Sequence, residues 1–248
     1  MGTKTTEREP ELLGQTVVVI GGSSGIGLET ARRAHAEGAR VVVTGRDAER
    51  LQQTAKELDA RTSAFDATDP AALDRFFREL PTPIDHLMLT AGRPYYAPLA
   101  EMDFEEVRRV LEADLLVALR VARHAIGKVR PGGSVLFISG TGARRPAVGL
   151  SVISALSVGM PALVAGLALE LAPIRINLIA PGFVDTPLSA RLLGDQLDAR
   201  RKHLRDTLPI RRVVGPADVA ALAVHLMTNT ALTGATYDVD RGQQLVAG

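Results

Sequence analysis

The chain has 248 residues, 46% of them hydrophobic and 4% aromatic, with 29 basic against 28 acidic side chains. That length suits one large α/β core better than two small ones, and the formal charge of +1 gives no global field for nucleic acid or a membrane surface. Without cysteine there is no disulfide, thiolate nucleophile or cysteine-ligated metal, and no metal site is expected; the polar start from Met1 to Pro10 is no signal peptide, so a cytoplasmic protein is expected.

Residues 1–13 read as a disordered tail and 14–248 as a single domain. The β-branched run Val17 to Ile20 is stopped by Gly21 and Gly22 and followed by an apolar helical pattern ending near Gly38, which reads as strand, tight turn, helix. Glycine lets the backbone turn sharply and approach a pyrophosphate, and the next helix offers unpaired N–H groups at the positive end of its dipole. The stretch Gly21, Ser23, Ser24, Gly25, Ile26, Gly27 is therefore a candidate dinucleotide cradle, spaced G-x-x-x-G-x-G.

A second strand is expected over Arg40 to Thr44, ending in Gly45-Arg46, with Asp47 capping a helix that runs to about Leu58. Thr62 to Phe65 reads as a third strand, followed by Asp66, and Asp69-Pro70 opens another helix. His86 to Thr90 is the fourth strand. An amphipathic helix covers Phe104 to about Ile126, and Pro131-Gly132-Gly133 turns into a fifth strand, Ser134 to Ser139. From Pro146 to Leu169 no residue is charged, a length that resembles a membrane span, but interruptions such as Gly149, Ser154 and Pro161 favour a buried or subunit-interface helix. Ile174 to Ile179 is a sixth strand ending at Pro181-Gly182. Leu188 to about Leu208 is polar and helical, a candidate substrate lid. Asp218 to Met227 is the last helix and Ala235 to Val239 the last strand. Such alternation predicts a doubly wound, mostly parallel sheet with ligands at the C-terminal strand ends.

The segments IGGSSGIG (Ile20 to Gly27), LTAGRP (Leu89 to Pro94), GGSVLFIS (Gly132 to Ser139), LALELAPIRINLIAPGFVDTP (Leu167 to Pro187) and TGATYDVD (Thr233 to Asp240) together resemble the classical short-chain dehydrogenase/reductase family from about Leu13 onward. The resemblance implies a Rossmann-type sheet of about seven strands flanked by helices, a nicotinamide dinucleotide, and a homodimer or homotetramer packed through the helices near 104–126 and 150–171. An acid after the second strand would bind the ribose of NAD, whereas Gly45-Arg46 leaves room for a phosphate and supplies a cation, which favours NADP(H); the alternative is Arg46 as a solvated residue before a helix. By the same resemblance Asp66 and Ala67 face the adenine, Ala91 and Gly92 match the N-A-G turn with Thr90 in the Asn position, and Pro181, Gly182, Val184 and Thr186 touch the nicotinamide.

The family's chemistry needs a tyrosine with a lysine one helical turn later, whose charge lowers the phenol from about 10 toward neutrality. The family spacing puts the Asn, Ser, Tyr and Lys positions at Asp114, Gly140, Ile153 and Ser157. The three tyrosines are Tyr95, Tyr96 and Tyr237 and the four lysines Lys4, Lys56, Lys128 and Lys202, so no Tyr-x-x-x-Lys exists. Candidate replacement donors are Tyr95, Tyr96, Asp114, Ser139 and Ser154. Two readings follow: a reductase of non-standard mechanism acting on a small molecule such as an iminium ion or activated alkene, or an inactive cofactor-binding sensor or partner protein. Arg144 and Arg145 are candidates for an anion clamp or a solvated pair; Arg200, Arg201, Lys202 and Arg205 read as a wet face of the lid. Arg241 stands where the family has glycine, with a salt bridge or weakened assembly as the alternatives.

Overall fold

A computed structural model describes residues 9–246. Among them, seven parallel strands form one sheet: β1 Thr16–Ile20, β2 Arg40–Gly45, β3 Arg61–Ala64, β4 Ile84–Leu89, β5 Val129–Ile138, β6 Arg175–Pro181 and β7 Thr236–Val239, in the order β3-β2-β1-β4-β5-β6-β7. The strand order reverses between β1 and β4, which opens a crevice at their C-terminal ends. Every residue of β1 is buried, so its unbroken β-branched run fits a strand covered on both faces. One face packs on α3 (Pro70–Glu79), α5 (Val117–Ala125) and α6 (Ser151–Glu170) through Phe77, Val121 and Val164; the other packs on α1 (Gly25–Ala36), α2 (Ala48–Leu58) and α9 (Pro216–Thr228) through Ala31, Leu51 and Val224.

Local chemistry sets several helix starts. Asp47 accepts from Arg50 N, Asp69 from Ala71 N and Ala72 N, and Asp103 from the first amides of α4 (Phe104–Leu111). Each satisfies donors that a helix start leaves unpaired.

Four expectations change. Residues 1–8 of the expected tail lie outside the described residues, but Leu12 is fully buried and its N–H donates to Glu37 O at 3.0 Å, so this part docks on the domain. Pro131-Gly132-Gly133 lies within β5, opposite a register shift between Ile84 and His86; a bulge absorbs residues that would otherwise end the strand. The single helix expected over Phe104–Ile126 is α4, a π turn at Glu112–Leu116, and α5. The segment expected as a substrate lid is two helices, α7 (Pro187–Leu193) and α8 (Leu197–Thr207), joined through Gly194 at φ +50°.

The uncharged stretch is α6, long and apolar enough to cross a membrane by length and composition. Its inner face, Met160, Val164 and Leu167, belongs to the core, whereas Val158 is 64% and Leu169 83% exposed. Arg175, only 6% exposed, donates to the carbonyls of Leu226, Met227, Asn229 and Leu232, closing the C-terminal end of α9.

Candidate active site

The cradle depends on glycines. Gly21 has φ +92° and Gly25 φ +55°, and a Cβ on Gly27 would lie 2.4 Å from Gly21 O. At Gly21 a Cβ would lie 2.8 Å from Ala91 N, so the turn presses against the end of β4. Thr90, in the position of the family's Asn, clamps that contact: its Oγ1 bonds to Gly21 O at 2.9 Å and Ile20 O at 3.2 Å. Helix α1 starts after Ser24 with no side-chain cap and no acid in its first turn, unlike α2. Its first amides thus stay open to an anion. The cradle fits a dinucleotide's pyrophosphate, with Ser23, Ser24 and Ile26 beside the glycines.

Next to the cradle, a Cβ on Gly45 would meet Ser23 Oγ at 2.6 Å, and the Arg46 side chain is 79% exposed, with Nη1 4.0 Å from Asp66 Oδ2. Asp66 accepts from Thr68 N at 2.9 Å and Thr68 Oγ1 at 2.8 Å. Burial pushes its carboxyl up, but these bonds and the Arg46 charge prevail and hold it below its usual range. Ala67 is buried in the core. On the other side Gly182 lies against Gln243 and Asp240, where a Cβ would come within 2.6 Å of Gln243 Oε1. Thr186 and Ser189 form a reciprocal cap that starts α7, with Ser189 N donating to Thr186 Oγ1 at 3.2 Å.

Between the cradle and α7 lies a cavity of about 510 Å³. Pro181, Gly182, Val184 and Thr186 line it, and so do Asp114, Gly140, Ile153 and Ser157, the four positions assigned to the family's tetrad. All four reach one space, with an isoleucine and a serine at the two positions assigned to the acid pair. Asp114 is the only carboxyl on this wall among the described residues and has no hydrogen-bond or ion-pair partner there. The π turn carries it inward, and Gly92 makes room: a Cβ there would lie 2.5 Å from Asp114 Oδ1. Burial pushes its carboxyl up to about 6.

Of the other candidate donors, Ser139 and Tyr96 line the cavity. Tyr96 is 56% exposed at its mouth, and desolvation still pushes its phenol up. Tyr95 does not reach the wall; its hydroxyl accepts from Asp103 N at 2.7 Å at the start of α4. Ser154 is not on the wall either, its Oγ being buried without a partner.

The arginines also sort differently from their sequence reading. Arg144 bonds to Asp238 Oδ2 at 2.9 Å and Gln244 Oε1 at 3.3 Å, and Arg145 to Val246 O, so both hold the C-terminal segment. Arg201 is no wet-face residue: it pairs with Asp185 at 2.7 Å, tying α8 to the loop after β6. Lys202 pairs with Asp206 on the surface, while Arg200 turns to the cavity. Arg241 makes an intrachain salt bridge to Asp218 at 2.7 Å.

A parallel sheet with a glycine cradle at its switch point, and a cavity beside it, defines a Rossmann-type dinucleotide-binding protein. The family model described as enoyl-(acyl carrier protein) reductase matches residues 20–244, and the chain belongs to the short-chain dehydrogenase/reductase family of oxidoreductases. It is 29% identical to the short-chain dehydrogenase/reductase malC of Malbranchea aurantiaca over 97% of this chain and 98% of that protein. The solved structure of that MalC reductase/Diels-Alderase superposes with a TM-score of 0.88 at 26% identity, covering 96% of this chain and 99% of the other. The 3-oxoacyl-[acyl-carrier-protein] reductase MabA of Mycobacterium tuberculosis is 30% identical over 97% of each chain. A small-chain dehydrogenase in complex with NADPH matches with a TM-score of 0.82 at 28% identity, over 94% of this chain and 99% of that one.

Proposed function

We propose that the protein is an NADP(H)-dependent reductase of a small molecule whose reduction needs no proton from a tyrosine, an iminium ion before an activated alkene. One observation carries this reading: the cavity has Ile153 and Ser157 in place of the acid pair and Asp114 as its lone carboxyl. When bound, the reduced dinucleotide supplies a hydride, which an iminium carbon accepts as the C=N π pair moves to nitrogen, without any proton. Asp114, ionised above about pH 6, stabilises the substrate's cation in a site of lowered dielectric, where a charge acts more strongly than in water. Ile138, Ile153, Leu156 and Met160 exclude water, and Leu188 and Leu192 of the lid close the opposite side. Ser139 offers a hydroxyl on the same wall.

The exposed Arg46 guanidinium beside Gly45, held only by a 4.0 Å ion pair to Asp66, supports NADP(H) over NAD(H) as cofactor, as does the NADPH bound by a structural relative. MalC and MabA, both named reductases, support the direction of reaction. The near-neutral charge and the cavity support a small-molecule ligand rather than nucleic acid or membrane, and we keep a cytoplasmic site of action as part of this reading. The exposed apolar faces of α4 and α6, with Phe104, Val158 and Leu169, support a homodimer or homotetramer.

The test is NADPH oxidation against iminium ions, activated alkenes and ketones, with NADPH binding measured separately. Turnover of the first class above the third is expected. Tight NADPH binding with no turnover of any class would instead identify a cofactor-binding sensor or partner protein.

A further inference from the structure

We propose that the substrate of this reductase carries a small oxyanion, a carboxylate or a phosphate, and that a second chamber beside the reactive cavity binds it. The proposal rests on the reductase reading for what the ligand is, but the anion site stands on its own observations. The chamber has a volume of about 400 Å³ and shares Gly142, Leu150, Arg200 and Gln243 with the larger cavity, so the two spaces adjoin. Arg145, Arg200 and His203 lie on its wall, and among the described residues no carboxylate side chain does.

These cations have spare capacity. Among the described residues Arg200 has no ion pair or hydrogen bond, whereas its neighbours Arg201 and Lys202 are paired with Asp185, Asp198 and Asp206. Arg145 spends one donor on Val246 O, and the ring of His203 has no partner among the described residues. Two acids bonded to the lining residue Gln244 are already engaged: Asp240 accepts from Gly242 N at 2.9 Å and from Gln244 N and Nε2, both at 3.1 Å, and Asp238 accepts from Gln244 Nε2 and Arg144 Nη1, both at 2.9 Å. An independent observation comes from Thr141. It is 1% exposed, lies on the chamber wall, and its Oγ1 has no hydrogen-bond partner. Buried hydroxyls are normally paired, and an oxygen of a bound anion would supply the missing acceptor. Two guanidinium forks and an orphan hydroxyl around one small space suit a planar or tetrahedral oxyanion. The substrate would then carry its electrophilic carbon toward Asp114 and its anion toward Arg200.

Calorimetric titration of the full-length protein with inorganic phosphate, malonate and the uncharged malonamide, at constant ionic strength, tests this without requiring turnover. Saturable binding of an anion but not of malonamide is expected, and the tighter of phosphate and malonate identifies the group. The Arg145→Gln/Arg200→Gln pair should weaken it by at least about tenfold, the loss of charge-assisted hydrogen bonds, while Arg46→Ala, at the cofactor cradle, should not. Thr141→Val should weaken it severalfold without lowering the unfolding midpoint. Absence of saturable anion binding, or binding that the Arg145/Arg200 pair leaves unchanged, whether or not Arg46→Ala weakens it, would overturn the proposal. Failure of the reductase reading shows separately, as absent turnover with anion binding retained.

Discussion

Replacing Asp114 by Asn should make the protein more stable and less active. Burial raises the Asp114 carboxyl from 3.8 to about 6, and each pKa unit corresponds to about 1.4 kcal/mol, so its ionised form costs the fold about 3 kcal/mol. The folded state holds this proton more tightly than the unfolded chain. The group's contribution to stability is therefore fully present below pH 3.8 and is lost as the pH rises through about 6. Asn carries no such penalty. Urea unfolding of both proteins from pH 4 to pH 8 should show equal midpoints at the acid end and an advantage for Asp114→Asn of about 2–3 kcal/mol at pH 8. The same substitution should slow iminium reduction by about 10²-fold, as losses of aimed electrostatic groups typically do. A stability difference that does not change with pH would refute the desolvated carboxylate on which this reasoning depends.

Arg46→Ala should weaken NADPH by about 10- to 100-fold in a fluorescence titration and leave NADH nearly unchanged, because only the former loses a charged hydrogen bond; equal losses would sink the cofactor assignment. Arg175→Met should lower stability by more than about 2 kcal/mol in chemical denaturation, since the last carbonyls of α9 lose their buried donor. Leu169→Glu with Val158→Glu should shift the mass seen by light scattering to that of one chain, if the outer face of α6 is the association surface; an unchanged oligomer would place that surface elsewhere.

Much of the framework is legible in the residues because its causes are local. The cradle follows from glycines that must turn or be approached closely, at Gly21 and Gly27, and Asp47 and Asp69 act as caps because a short carboxylate reaches the first amides. Elsewhere tertiary pairing prevails. Pro131 and Gly132 have turn propensity but continue β5, because Val129 pairs with Ile84 on the far side of a bulge. The π turn at Glu112–Leu116 leaves almost no trace in an amphipathic pattern, yet it aims Asp114 at the cavity. Neighbouring tyrosines are indistinguishable by sequence, and only the folded loop sends Tyr96 to the cavity and Tyr95 to Asp103. Arg200 and Arg201 differ for the same reason: adjacent helix positions point about 100° apart, one toward the cavity and one toward Asp185. Arg175 is marked in the sequence only as a charged residue opening a buried strand whose other polar member is Asn177.

The proposed cavity chemistry is the reduction of electrophiles that need no proton. Steady-state NADPH oxidation with one cyclic iminium salt and with the ketone of the same ring, from pH 5 to pH 9, tests it most directly. The iminium ion should be reduced at least about 10²-fold faster than the ketone, the scale of a missing general acid, with its rate rising as Asp114 ionises around pH 6. Ketone reduction at a comparable rate, undiminished in Asp114→Asn, would contradict it.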